Sequence, residues 1–136
     1  MAVKQLSVFI ENRHGMLAEI CSALASAGID IRALSLAETP DYGILRLILS
    51  DTDKAYETVR ATGRSAKINH VLGLRVDDRP GGLAAPLSLL TEAGFDVEYM
   101  YAFIGENKDF ADVVMRVKDT AAAEALLRDK GYTLID

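Results

Sequence analysis

The sequence has 136 residues, 50% of them hydrophobic and 26% charged, with a formal net charge of −5 and a single cysteine. Such a composition supports a packed core and argues against disorder, while one cysteine excludes a disulfide framework and suits a reducing cytoplasm. Residues 1–68 hold 8 basic and 8 acidic side chains and residues 69–136 hold 7 and 12, so neither half offers the basic stripe that a nucleic-acid partner requires.

No signal peptide, lipidation motif or apolar run of bilayer length is found, which leads to the expectation of a cytoplasmic chain without a membrane partner. Leu6, Val8 and Ile10 alternate with Gln5, Ser7 and Phe9 and predict a strand over residues 3–10. The segment Glu11-Asn12-Arg13-His14-Gly15-Met16-Leu17 then opens a helix whose stripe is Leu17, Ile20, Cys21, Leu24 and Ala27, with Gly28 as its C-cap. Cys21 falls on that apolar stripe and reads as a core thiol rather than a nucleophile. A strand is expected over 29–37, a hairpin turn at Glu38-Thr39-Pro40-Asp41-Tyr42-Gly43, and a third strand over 44–49. Asp51, Thr52 or Asp53 can cap a short helix that Gly63 ends, and an extended segment runs from Ala66 through Val76.

The second half repeats this order. Asp77-Asp78-Arg79-Pro80-Gly81-Gly82-Leu83 opens a helix striped by Leu83, Leu87, Leu90 and Ala93 and closed by Gly94, with Pro86 in its first turn. A strand is expected over 95–104, with Phe95, Val97, Tyr99, Tyr101 and Phe103 on one side and Met100 and Ile104 on the other. After a turn at 105–109 come a strand over 110–117, a helix capped by Asp119 or Thr120, and a closing strand over 132–135. Residues 6–37 and 72–103 align without gaps with 10 identities in 32 positions; chance pairing gives about two. The chain is a tandem repeat.

Each repeat reads β-α-β-β-α-β. Right-handed crossovers turn that order into an antiparallel four-stranded sheet with two helices on one face, an α+β, ferredoxin-like arrangement. Leu45, Leu47 and Leu49 suit the helix side, yet Ile44, Arg46 and Ile48 opposite them are also largely apolar. Sheets of this kind pack against another sheet or another chain, so the repeats and then whole chains are expected to associate, at least as a homodimer.

Where a strand turns directly into a helix, free backbone N–H groups and the positive end of the helix dipole face a carboxylate or other small anion. An Arg-x-Gly segment alone also serves as a plain tight turn; two copies in register favour a site. The motif Asp/Glu-Asn/Asp-Arg-Pro-Gly after a strand, followed by an apolar helix ending in Ala-Gly-Ile-Asp-Ile, resembles the ACT domain, an amino-acid-sensing module of regulated biosynthetic enzymes. The resemblance covers nearly the whole chain as two repeats, 1–70 and 71–136. His14 stands where the family often has proline.

The resemblance implies a regulatory protein that binds a small-molecule amino acid at interfaces between ACT modules and acts in trans, with a metabolic enzyme as the candidate partner and with no cofactor and no metal. Carried over by position, the first site comprises Asn12, Arg13, His14, Gly15, Met16 and Leu17. The second comprises Asp78, Arg79, Pro80, Gly81, Gly82 and Leu83. Backbone amides at Gly15 and Met16, or at Gly81 and Gly82, hold the ligand carboxylate; Asn12 or Asp78 takes the ammonium. Leu17 and Leu83 form walls, and Leu34, Ser35, Tyr99 and Tyr101 are candidates from the second strand of each repeat.

Three other readings stand beside this one. A ligand-free ACT oligomerisation module requires the same fold. An acylphosphatase-like enzyme shares the element order, but the only histidines are His14 and His70, and no Cys-x-x-Cys, His-x-x-x-His or Gly-rich phosphate loop is present. Asp77-Asp78 as a metal site is weakened because neighbours at a strand end point to opposite faces. An RNA-binding module of the same topology needs basic residues beside exposed aromatics, and the chain offers Phe9 and Phe110 at net charge −5.

Overall fold

The computed structural model describes residues 3–11, 13–38, 40–105 and 109–135. Its elements run β1 (Val3–Glu11), α1 (Met16–Ser26), β2 (Ile31–Glu38), β3 (Tyr42–Leu49), α2 (Thr52–Arg60), β4 (Ala66–Asp77), α3 (Ala84–Glu92), β5 (Tyr99–Ala102), β6 (Phe110–Arg116), α4 (Thr120–Asp129) and β7 (Thr133–Ile135). The order is βαββαβ twice, with β4 closing the first pass and opening the second. The chain divides into two compact units, Lys4–Asn69 and His70–Asp136, the latter also holding Val3.

In the first unit the strands lie in the order β2-β3-β1-β4. Strands β1 and β3 are antiparallel with Leu6 opposite Leu47 and Val8 opposite Leu45. Directly opposed residues share a face, so these four leucine and valine side chains meet the helices together. With them pack Ile10, Ile20, Leu24, Ala55 and Val59. Each such large side chain contributes about 1.5–3 kcal/mol on burial. On the opposite face Gln5 is fully buried, and its amide nitrogen donates to Asn69 Oδ1 at 3.2 Å and to Ser7 Oγ at 3.3 Å. That pairing offsets the desolvation of the amide.

The second unit is ordered β5-β6-β4, with β7 on the free side of β4. Its core is Leu72, Leu74, Val76, Leu90, Val113, Met115, Val117, Ala123 and Leu127. Leu72, Leu74, Val76 and Leu90 stand 66 positions after Leu6, Val8, Ile10 and Leu24, so the repeat seen in sequence is a repeat of buried positions. Helices α2 and α4 are capped alike: Asp51 accepts from the Lys54 amide at 3.1 Å and Asp119 from the Ala122 amide at 3.0 Å.

One expectation fails. Residues 95–98 are not strand, and β5 covers only Tyr99–Ala102. Phe95 and Val97 pack into the core with Met100, whereas Tyr99 and Tyr101 lie opposite Arg116 and Val114, on the other face. The single alternation expected over 95–104 is therefore broken between Val97 and Tyr99. The first repeat breaks at the equivalent place, where the register of β2 shifts between Ile31 and Ala33. An extra residue in a strand moves all later side chains to the opposite face.

Candidate functional site

The two strand-to-helix turns share one backbone. In the first, Arg13 N–H donates to the Glu11 carbonyl at 2.8 Å, Met16 N–H to Arg13 at 3.4 Å and Glu19 N–H to Gly15 at 3.0 Å. In the second, Arg79 donates to Asp77 at 3.0 Å, Gly82 to Arg79 at 2.9 Å and Ala85 to Gly81 at 3.2 Å. Gly15 and Gly81 both have φ of 84°, a left-handed conformation that costs a residue with a Cβ about 1–2 kcal/mol. The glycine of Arg-x-Gly is thus a backbone requirement.

Unlike α2 and α4, helices α1 and α3 receive no side-chain cap among the described residues. The amides of Leu17 and Ala18, and of Leu83 and Ala84, meet no acceptor among those residues. Both helix starts therefore combine available N–H donors with the positive end of a dipole. The two arginines of the motif are exposed and turned to local acids: Arg13 Nε lies 2.6 Å from Glu11 Oε2, and Arg79 Nη2 3.2 Å from Asp77 Oδ2. Such exposed pairs add little stability; they neutralise the rim.

At the first turn a cavity of about 510 Å³ opens beside the helix start. Arg13, Gly15, Met16 and Leu17 line it, joined by Ala18 and by Ile10, Glu11, Leu36, Glu38 and Gly43 from the strands. His14 is exposed and outside this lining; Asn12 lies outside the described residues. The β2 residues on the cavity are Leu36 and Glu38, not Leu34 or Ser35. Behind the turn, Arg64 is buried to 8% side-chain exposure. Its Nη2 lies 3.1 Å from Met16 Sδ and 3.3 Å from Glu19 Oε2, while its Nε has no hydrogen-bond partner. Arg64 thus holds Met16 and the first turn of α1 without itself lining the cavity.

The second turn is built differently around the same backbone. Two cavities of about 310 Å³ each flank it. Asp77, Arg79, Gly81 and Gly82 line one, together with Tyr132 and Thr133. Asp78 lines the other with Arg75, Ala102, Ile104 and Asp112. Asp78 is consequently not gathered with Gly81 and Gly82, and Pro80 and Leu83 line neither cavity; Leu83 packs against the core. Gly82 occupies the place of Met16, and a Cβ there would run into the Asp77 carbonyl oxygen.

On the helix-free side, Arg75 grips Asp112 through two bonds of 2.8 and 3.0 Å and lies 3.9 Å over the Phe110 ring. The hydrogen bonds that Arg75 donates to Asp112 raise the Arg75 pKa above its ordinary value, desolvation opposes this, and the Asp112 charge adds to the rise. The guanidinium is therefore a fixed charge.

A model of the ACT domain pair matches residues 1–135. The chain belongs to that family. Its ACT fold is also found in a protein from Bacteroides thetaiotaomicron, 38% identical, with 99% of this chain and 92% of that one covered at a TM-score of 0.92. The regulatory subunit of aspartate kinase from Thermus thermophilus, in ligand-free form, is 14% identical, with 96% and 94% covered and a TM-score of 0.70. The corresponding subunit from Thermus flavus is 14% identical, with 95% and 92% covered and a TM-score of 0.64. At that identity the two kinase subunits share the fold alone. No curated protein matches the chain. Among the described residues no helix is long and apolar enough to cross a membrane, and no three His, Cys, Asp or Glu side chains gather as a metal site.

Sequence reasoning found the turns and missed Ile10, Leu36, Glu38, Gly43 and Arg64. Leu36 carried a signal, since Leu34 and Leu36 alternate, but its face depends on the register shift upstream. Arg64 carried none.

Proposed function

We propose that this ACT domain pair is a cytoplasmic regulatory protein that binds an amino acid and acts in trans on another protein. Residues 1–70 and 71–136 are the two ACT domains in this reading. Asn12, Arg13, His14, Gly15, Met16 and Leu17 form the first ligand site, and Asp78, Arg79, Pro80, Gly81, Gly82 and Leu83 the second. The observation that carries the reading is the uncapped start of α1 beside a cavity of about 510 Å³, a size ordinary for small-molecule sites. A carboxylate there meets the Leu17 and Ala18 amides. Action in trans rests on fold-level analogy with the aspartate kinase regulatory subunits, of which this chain covers 94% in one case.

The two sites differ in chemistry. The Asn12 amide both accepts from an ammonium and donates to a carboxylate, whereas ionised Asp78 only accepts and repels a carboxylate. The first site is therefore the tighter one. Calorimetry against the twenty amino acids tests this: Asn12→Ala removes most of the binding and Asp78→Ala removes less. The reverse order overturns the assignment.

One observation favours a second reading, a ligand-free oligomerisation module. Strand β2 lies at the edge of its sheet, with Leu34 and Leu36 exposed. If no amino acid binds the parent protein, that reading replaces the first.

A further inference from the structure

The first cavity has a side-chain chamber with a definite chemistry, and the second repeat lacks it. Leu36 lies opposite the buried Leu45, so it faces the helix side, yet as an edge-strand residue it stays 48% exposed. Gly43 lies opposite Ile10. A Cβ on Gly43 would sit 3.3 Å from both Ile10 Cγ1 and Leu36 Cδ1. The absent side chain therefore lets Ile10 and Leu36 meet as a continuous apolar floor, which Leu17 and Met16 extend toward the helix. The charges on the rim are Glu11, held by Arg13 at 2.6 Å, and Glu38.

The second repeat serves as an internal control. Ala102, opposite Val113, takes the place of Leu36, and Ala111, opposite Val76, takes that of Gly43. Among the described residues the space there is divided into two cavities: one lies at Gly81 and Gly82, and Arg75, Asp78 and Asp112 line the other, beside β5.

We infer that the first cleft selects amino acids with an apolar side chain, of the leucine or phenylalanine kind, and that Leu36 and Gly43 determine this specificity. The inference rests on the amino-acid-binding reading above. A charged ligand side chain over Ile10 and Leu36 loses hydration on an apolar floor, while the charges of the cavity, Arg13, Glu11 and Glu38, stand on the rim, with Arg13 and Glu11 already paired to each other. An acidic one also meets the Glu38 carboxylate. An apolar one gains the wall at no such cost.

Calorimetry on the full chain with leucine, phenylalanine, aspartate and lysine tests it. Leucine and phenylalanine bind at the tighter site, and aspartate and lysine bind there at least tenfold more weakly. Leu36→Ala weakens leucine about tenfold, while Leu36→Met, which keeps the volume, retains most of the affinity. Gly43→Ala, whose methyl enters the floor, weakens phenylalanine more than leucine. Phe9→Ala, on the opposite face of the sheet, changes neither. Thermal unfolding of each variant verifies that it is folded. Aspartate or lysine binding as tightly as leucine overturns the inference and leaves the amino-acid-binding reading standing, as does an unchanged affinity in Leu36→Ala. Failure of every amino acid to bind removes both.

Discussion

Arg64 illustrates how a charged side chain serves a site it does not line. Its side chain is buried, its guanidinium reaches Met16, and its partner Glu19 is half exposed, so the ion pair itself is screened. The side chain thus acts mainly by filling space and holding the turn. Arg64→Ala is expected to destabilise the protein by about 1–2 kcal/mol, and Arg64→Met by less, because an apolar side chain of similar length leaves no unpaired Nε–H. Urea denaturation measures both; equal losses would mean that the charge, not the volume, matters. Gly15 and Gly81 are held by backbone geometry instead. Gly15→Ala and Gly81→Ala should each cost about 1–2 kcal/mol through the left-handed φ, whereas Gly82→Ala should cost more, since its Cβ meets the Asp77 carbonyl. Similar losses in all three would contradict that contact.

Among the elements, the four helices divide by how they begin. Helices α2 and α4 start with an aspartate that satisfies an amide, and α1 and α3 start on a glycine turn that satisfies none at Leu17, Ala18, Leu83 or Ala84. Asp51→Ala and Asp119→Ala should each lower stability by about 0.5–2 kcal/mol. The double change should give the sum, because the caps belong to separate units. Ligand affinity should stay unchanged, and calorimetry on the double variant checks this. The strands teach a different lesson. Leucines at 34 and 36 were visible as an alternating pair, and tyrosines at 99 and 101 likewise. Their faces were not, because a shift between Ile31 and Ala33 is set by pairing with β3 and has no glycine or proline to announce it.

For the molecule as a whole, the edge of β2 is the outstanding surface. An edge strand of eight residues with Leu34 and Leu36 exposed invites pairing with another chain. The protein is expected to be at least a homodimer at micromolar concentration, and Leu34→Lys to shift it toward monomer, with sedimentation equilibrium as the measurement. A parent protein that sediments as a monomer, with and without amino acids, would refute this.

The two βαββαβ passes, the core positions 66 residues apart, the Arg-x-Gly turns and the aspartate caps were all legible in the residue order. They follow from short-range physics: strand and helix periods, positive φ at glycine, and side chains that bond amides three residues on. Three features were decided only when the chain folded. Leu36 rather than Leu34 or Ser35 lines the first cleft, because pairing with β3 puts Ser35 on the other face and leaves Leu34, on the same face opposite Leu47, farther along the strand from the turn. Asp78 parts from Gly81 and Gly82, because it lines the cavity on the side of the turn toward Ala102 of β5. Arg64 is buried 48 positions from the methionine it supports. Each depends on which surfaces meet across long stretches of sequence, and local periodicity carries no record of that.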